Sequence, residues 1–314
     1  MPSQEAARHV EARTWTTPGK GAGAGPAAPL PDLVTYRAAV ADLLPAVAAW
    51  TGPADLPALE AALTGRLTRP EFSAVLAALP GGAVEVARQL VLEVADRRTD
   101  GPARAPDVAE LIRIYLLSRI DVMWWGRLPG YATDAELHNS ADLVDVEALG
   151  RGGLLRFRYR RRAGGMLTRT LRTVERRVWP HRAPYTSGLR FARTRPEVVA
   201  LLNQLAVDLA QRGTGPTPPL WVTSLARSVE HQHRLRALGQ AAMLPSGHCT
   251  GHAVDIEMSW FRRFDAHGTL AALLLERQGW GDVNVIDEDQ FWHVCVSPRG
   301  AGRLRRDFQT AMGG

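Results

Sequence analysis

Two imidazoles and one carboxylate carry the chemistry legible in this chain. Residues 246 to 255 read Ser-Gly-His-Cys-Thr-Gly-His-Ala-Val-Asp, and a further imidazole follows at His293 within Phe-Trp-His-Val-Cys. His248, Asp255 and His293 together offer two neutral nitrogen donors and one carboxylate oxygen. That set leaves a tetrahedral Zn2+ with one open position for water. Hydrolysis takes place at such a position.

Ligands of this kind need rigid backbone. Gly251 and Ala253, between His248 and Asp255, are small enough to let the chain turn close to a metal before it enters the apolar run Ala253-Val254-Asp255-Ile256. His293 lies in a strand-like run, Phe291 to Val296. Alternation there sends His293 to one face and Trp292 and Val294 to the other. The expectation is two adjacent strands that aim both imidazoles at one point.

Around these runs the pattern alternates between helix and strand. Pro196 to Gln211 reads as a helix, with Val198, Leu201, Leu202, Leu205 and Leu209 mostly on one face. Strand Leu220 to Ser224, helix Val229 to Leu238, the ligand segment, helix Phe261 to Gln278, and strands Val283 to Ile286 and Phe291 to Val296 follow. This half is α+β, with strands gathered at the site and helices outside. Upstream, Asp32 to roughly Ile120 has helical spacing and reads as about five helices, a small bundle or a cap, Ala83 to Ala95 and Val108 to Ile120 among them. Met123 to Gly153 reads as a connection with one short helix, and Gly152 to Arg162 as a strand with a basic face. Residues 1 to 30, rich in Gly, Ala, Pro and Thr, read as a disordered tail. The division expected is therefore a tail over 1–30, a helical domain over 31–150, and an α+β domain over 151–314.

Seven of these positions, Ser246, His248, Gly251, Ala253, Asp255, Trp292 and His293, meet the pattern S-x-H-x-x-G-x-A-x-D followed downstream by W-H. A second block, Leu220 to Gln232, is similar to a strand, then S-x-x-R-S at Ser224, Arg227 and Ser228, then a helix with E-x-Q at Glu230 and Gln232. At these residues the chain resembles the zinc peptidase superfamily that groups D-alanyl-D-alanine carboxypeptidases and dipeptidases, phage endolysin L-alanyl-D-glutamate peptidases and the hedgehog amino-terminal domain. The resemblance covers residues 196–298. It implies a small antiparallel sheet with flanking helices, one Zn2+ on His248, Asp255 and His293, and Arg227 steadying the substrate carbonyl or carboxylate. The substrates it implies are small D-amino-acid-containing peptides of the peptidoglycan type.

One position departs from that pattern. The general base of the superfamily is an acidic residue three positions before the last His, where this chain has Gln290, and an amide takes no proton from water. Glu288 and Asp289 lie just upstream, and Glu257 lies two residues past Asp255 on the same strand face. Three readings stay open: a displaced base, a slow or altered hydrolase, or a zinc module that binds a peptide or partner protein without hydrolysing it. Of the remaining polar positions, Ser246 is expected to bond backbone or neighbouring groups. His252 is expected at the surface or, failing that, toward substrate or behind the metal ligands. Trp292 reads as core or as a pocket wall. His231 and His233, two apart on a helix, do not form a second metal pair.

Composition narrows the partners. The chain has 314 residues, 46% of them hydrophobic, a formal charge of +6 and a pI near 10, with Lys20 its only lysine. Ten arginines fall between Arg151 and Arg177. In a chain whose cations are nearly all arginine this pattern reads as a solvated face, and it argues against nucleic acid as partner. Met1 to Ala28 contains no apolar signal region and no later stretch has the length of a membrane span, so the expected location is cytoplasmic, or extracellular by lysis or from an earlier start. Two cysteines, Cys249 and Cys295, define no disulfide framework.

Overall fold

The computed structural model of the chain describes residues 32–48, 56–96, 107–162, 184, 188–213, 217–240 and 242–313. The expected tail over 1–30 and the arginines from 163 to 177 lie outside these residues. Asp32 accepts hydrogen bonds from the backbone N–H groups of Val34 and Thr35 and so caps α1 (Leu33–Val47). Helices α2 (Leu56–Leu67), α3 (Pro70–Leu76) and α4 (Gly82–Ala95) follow. Asp107 then accepts from Glu110 N and starts α5 (Val108–Trp125). Leu111, Ile112, Ile114, Tyr115, Leu116 and Ile120 of α5 are all buried, as they must be on a helix that is apolar nearly all round. Tyr36 Oη donates to the Leu116 carbonyl at 2.8 Å, pinning α1 to α5. Each fully buried leucine of this cluster, Leu116 for example, contributes about 1.5–3 kcal/mol.

Two short helices, α6 (Asp134–Asn139) and α7 (Val146–Arg151), flank the two-residue strand β1 (Val144–Asp145). Next come β2 (Arg158–Tyr159), β3 (Arg193–Thr194), which pairs with β1, and α8 (Pro196–Arg212). The last part runs β4 (Trp221–Ser224), α9 (Val229–Ala237), β5 (Ala253–Glu257), α10 (Ser259–Arg262), α11 (His267–Gly279), β6 (Val283–Asp287), β7 (Phe291–Val296) and α12 (Pro298–Gly313). The main sheet has the order β2-β4-β5-β7-β6. Its core is antiparallel, but β2 runs parallel to β4, so the sheet is mixed rather than purely antiparallel. The reason is topological: α8 lies between β2 and β4 in the chain, and a crossover of that kind returns the strand in the same direction.

Alternation along the strands divides the sheet into two faces. Val254, Ile256, Val283, Val285, Trp292, Val294 and Val296 share one core with residues of α8 and α11 and with Leu304 of α12. On the other face Ile286 packs into the cluster built by α1 to α5. The sheet is thus a middle layer between two helical layers. Asp32–Gly314 forms one compact unit.

Several element boundaries differ from expectation. The strand expected over 152–162 is reduced to Arg158–Tyr159, with Arg161 bridging to Leu189. The helix expected over 261–278 is two, α10 and α11, separated where Asp265 takes a positive φ of 53°. Helix α5 passes Ile120 and ends at Trp125, and the connection behind it holds two short helices instead of one. Helix α12 has few apolar residues, and it docks through Ala301, Leu304 and Phe308, one helical stripe. No described helix is long and apolar enough to cross a membrane.

Candidate metal centre

Ser246 starts the site. Its Oγ accepts from His248 N at 3.3 Å and caps a single 3-10 turn, Gly247–Thr250. Gly251 ends the turn at φ 79°, a left-handed conformation that favours glycine, with Leu143 Cδ2 packed close over its Cα. A Cβ on Gly247 would sit 3.0 Å from Cys295 Sγ and 3.5 Å from Asp121 Oδ2, which shows how closely this turn lies against β7 and α5. His248 therefore comes from the turn, not from a strand as expected. Asp255 on β5 and His293 on β7 are direct cross-strand partners.

The ligand atoms of His248, Asp255 and His293 lie within 4.8 Å of one another, and all three residues are buried. His248 Nε2 is 3.0 Å and His293 Nδ1 is 3.2 Å from the same oxygen, Asp255 Oδ1. A tetrahedral ion with bonds of about 2.0–2.1 Å has edges of about 3.3 Å, close to both distances. Protonation argues in the same direction. His248 Nδ1 is 2.8 Å from the Leu225 carbonyl, which only accepts, so Nδ1 carries the hydrogen. Burial lowers the pKa of His248, against the pull of Asp255, so the ring is neutral near pH 7 and Nε2 holds a lone pair. That lone pair faces a carboxylate oxygen, an arrangement that a cation between the two relieves. The group can hold a metal ion.

Asp255 stays ionised. Burial raises its pKa, but the charge of Arg227 and the hydrogen bond from His293 hold it well below the usual carboxylate range. Its other oxygen, Oδ2, is bridged to Arg227, whose Nε donates to Ser224 Oγ at 2.7 Å. Arg227 thus grips Asp255 while lining the cleft. For His293, burial opposes the charged ring, and hydrogen bonds to Asp121 and Asp255 overcome it, raising the pKa to about 10.

Around the group is a cleft of about 710 Å³, walled on the sheet side by Arg227, Glu257, Glu288 and Gln290 and on the helical side by Glu110, Ile114 and Ser118 of α5. Glu288 stands in the β6–β7 turn, half-buried. Burial pushes its carboxyl up to about 7, with His293 and Arg227 pulling down and Asp255 pushing further up. Gln290 lines the same cleft and is exposed. Asp289 takes φ 61°, and its carboxylate approaches Arg262 at 3.6 Å.

Of the remaining candidate residues, His252 departs from its expected place at the surface. Glu257 is buried and accepts from Trp260 N at 2.7 Å and from Ser259 Oγ, at the start of α10. His252 is 1% exposed, neither at the surface nor aimed at the cleft. It stacks on Trp125 at 3.6 Å and 6°, with Nδ1 3.0 Å from Thr250 Oγ1. Trp292 points away from His293 into the helical core, while Trp280 is exposed beneath Arg277. His231 is buried and His233 exposed. Cys249 and Cys295 are buried free thiols.

One residue of the site escapes sequence reasoning altogether. Asp121 of α5 is 2% exposed and its Oδ2 accepts from His293 Nε2 at 2.8 Å. The available signal is a lone acid inside the apolar run Ile120-Asp121-Val122-Met123. No protein-family model, no curated protein and no solved structure matches this chain.

Proposed function

We propose that the chain is a zinc-dependent hydrolase of small peptides, with D-amino-acid-containing peptides of the peptidoglycan type as its substrate class. The observation that carries the hydrolase reading is the position of Glu288, a carboxyl with a pKa near 7 in the same cleft as His248, Asp255 and His293. The metal itself comes from the donor set: two imidazoles and one carboxylate, with the His248 lone pair already turned toward Asp255. Zinc held there would supply Lewis acidity toward an amide carbonyl and lower the pKa of water.

The side chains divide the remaining work. Glu288 takes the proton of the attacking water and returns it to the leaving amine, the task the superfamily gives to the position of Gln290. Arg227, at the cleft wall, keeps Asp255 ionised and presents a positive charge toward the developing oxyanion or a terminal carboxylate. Helix α5 forms the far wall of the cleft.

Peptidase assays with D-Ala-D-Ala and stem peptides test this reading, run on the wild type, Glu288→Ala, Asp289→Ala and Gln290→Glu. Activity abolished by Glu288→Ala supports it. An inactive wild type that Gln290→Glu activates would instead assign the chain to the zinc modules that bind without hydrolysing.

A further inference from the structure

We propose that Asp121, on the helical layer, is the positioning residue that selects which nitrogen of His293 binds the metal; the proposal rests on the metal reading above. His293 Nε2 lies 2.8 Å from Asp121 Oδ2, and its Nδ1 lies 3.2 Å from Asp255 Oδ1. A ring whose Nε2–H is committed to a carboxylate has only Nδ1 left to ligate. The side chain that fixes this is far from the motif in sequence, on α5, and belongs to no pattern shared with it.

Asp121 is itself held on both oxygens. Its Oδ1 accepts from Asn284 Nδ2 at 2.9 Å, the same Asn284 nitrogen donates to the Leu117 carbonyl at 3.0 Å, and Asn284 Oδ1 accepts from Arg37 at 3.0 Å. Asn284 is fully buried and Asp121 nearly so, so the chain from Asn284 to His293 is shielded from water, with the half-buried Arg37 at its outer end. Each Asp121 oxygen meets an N–H donor, Oδ2 that of His293 Nε2 and Oδ1 that of Asn284 Nδ2, so both must accept. A carboxylate supplies two acceptors and an amide does not, because its NH2 would oppose one of the donors. Loss of a carboxylate behind a ligating imidazole typically costs about 10–100-fold in metal affinity.

The test uses the full chain. Zn2+ affinity is measured by chelator competition on the wild type, Asp121→Asn and Arg37→Met. The last breaks the outer end of the same buried network while leaving the Asp121–His293 bond in place. The expected result is a loss of about 10–100-fold for Asp121→Asn with Arg37→Met within about threefold of wild type. The proposal is overturned if Asp121→Asn binds within threefold of wild type, or if Arg37→Met loses as much, since affinity would then follow fold integrity. Should Asp121→Asn not fold, wild type with 15N-labelled histidine and bound 113Cd2+ decides the matter. Cadmium coupling to Nδ1 of His293 supports the proposal and coupling to Nε2 overturns it. A wild type that takes up no divalent metal ends the metal reading itself, whereas a wild type that binds metal with an unchanged Asp121→Asn ends only this inference.

Discussion

Asp255 and His293 face each other across the β5–β7 ladder, and His293 Nδ1 is 3.2 Å from the oxygen that His248 Nε2 also approaches, at 3.0 Å. Cross-strand register therefore fixes two of the three donors. A one-residue slip of β7 would bring Trp292 or Val294 to the site face in place of His293. Only His248 depends on a loop, and that loop is pinned by Ser246, Gly247 and Gly251.

Metal affinity should rise with pH. In the metal-free protein His293 has a raised pKa of about 10, so below that value its Nδ1 holds a proton that a metal must displace. The account predicts about a tenfold gain in Zn2+ affinity per pH unit between pH 6 and 8, measured by chelator competition. A flat profile would contradict the protonation assigned to His293.

The rate of peptide hydrolysis should show an acid limb. Glu288 has its pKa raised to about 7, and a base works only when deprotonated, so activity rises with pH through that region, or somewhat lower once a divalent cation stands nearby. Glu288→Gln is expected to lower kcat by about two to four orders of magnitude and to abolish the limb. An unchanged limb in Glu288→Gln would assign it to another group.

His252 predicts a loss of stability in acid. Burial leads the forces that lower its pKa from 6.5 to about 2, with Arg195 and Arg305 adding to it and outweighing the Glu197 carboxylate 3.6 Å from its Nε2. A lowered histidine pKa means that the unfolded chain binds the proton first, so stability is complete above pH 6.5 and falls as pH drops below it. The slope is about 1.4 kcal/mol per pH unit for this one residue. Urea unfolding in chelator at pH 7, 6 and 5 measures it, with His252→Gln as comparison. The prediction is a shallower pH slope in His252→Gln, and equal slopes would refute it.

The parts of this fold that are legible in the amino-acid sequence are those in which local pattern and tertiary role agree. Strand β7 matches its expected range because Phe291 to Val296 is a short, mostly apolar run rich in aromatic and β-branched residues, and strand geometry sends His293 and Trp292 to opposite faces. The spacing of Gly251 and Ala253 marks the turn before β5. What stays hidden depends on long-range packing. Asp121 sits 172 residues from His293, and within its own helix it looks only like a break in an apolar stripe, which is why local spacing predicts a helix end at Ile120. The burial of His252 depends on Trp125 of the same helix. The parallel pairing of β2 follows from a crossover whose existence no two-residue strand can announce.

Metal stoichiometry after exchange into metal-free buffer and titration with Zn2+ tests the central claim most directly, performed on wild type and on His248→Ala, Asp255→Ala and His293→Ala. The account predicts about one tightly held ion per wild-type chain and its loss in each of the three variants, with the fold retained by circular dichroism. A wild-type chain that retains no Zn2+, or a folded His293→Ala that binds as tightly as wild type, would contradict it.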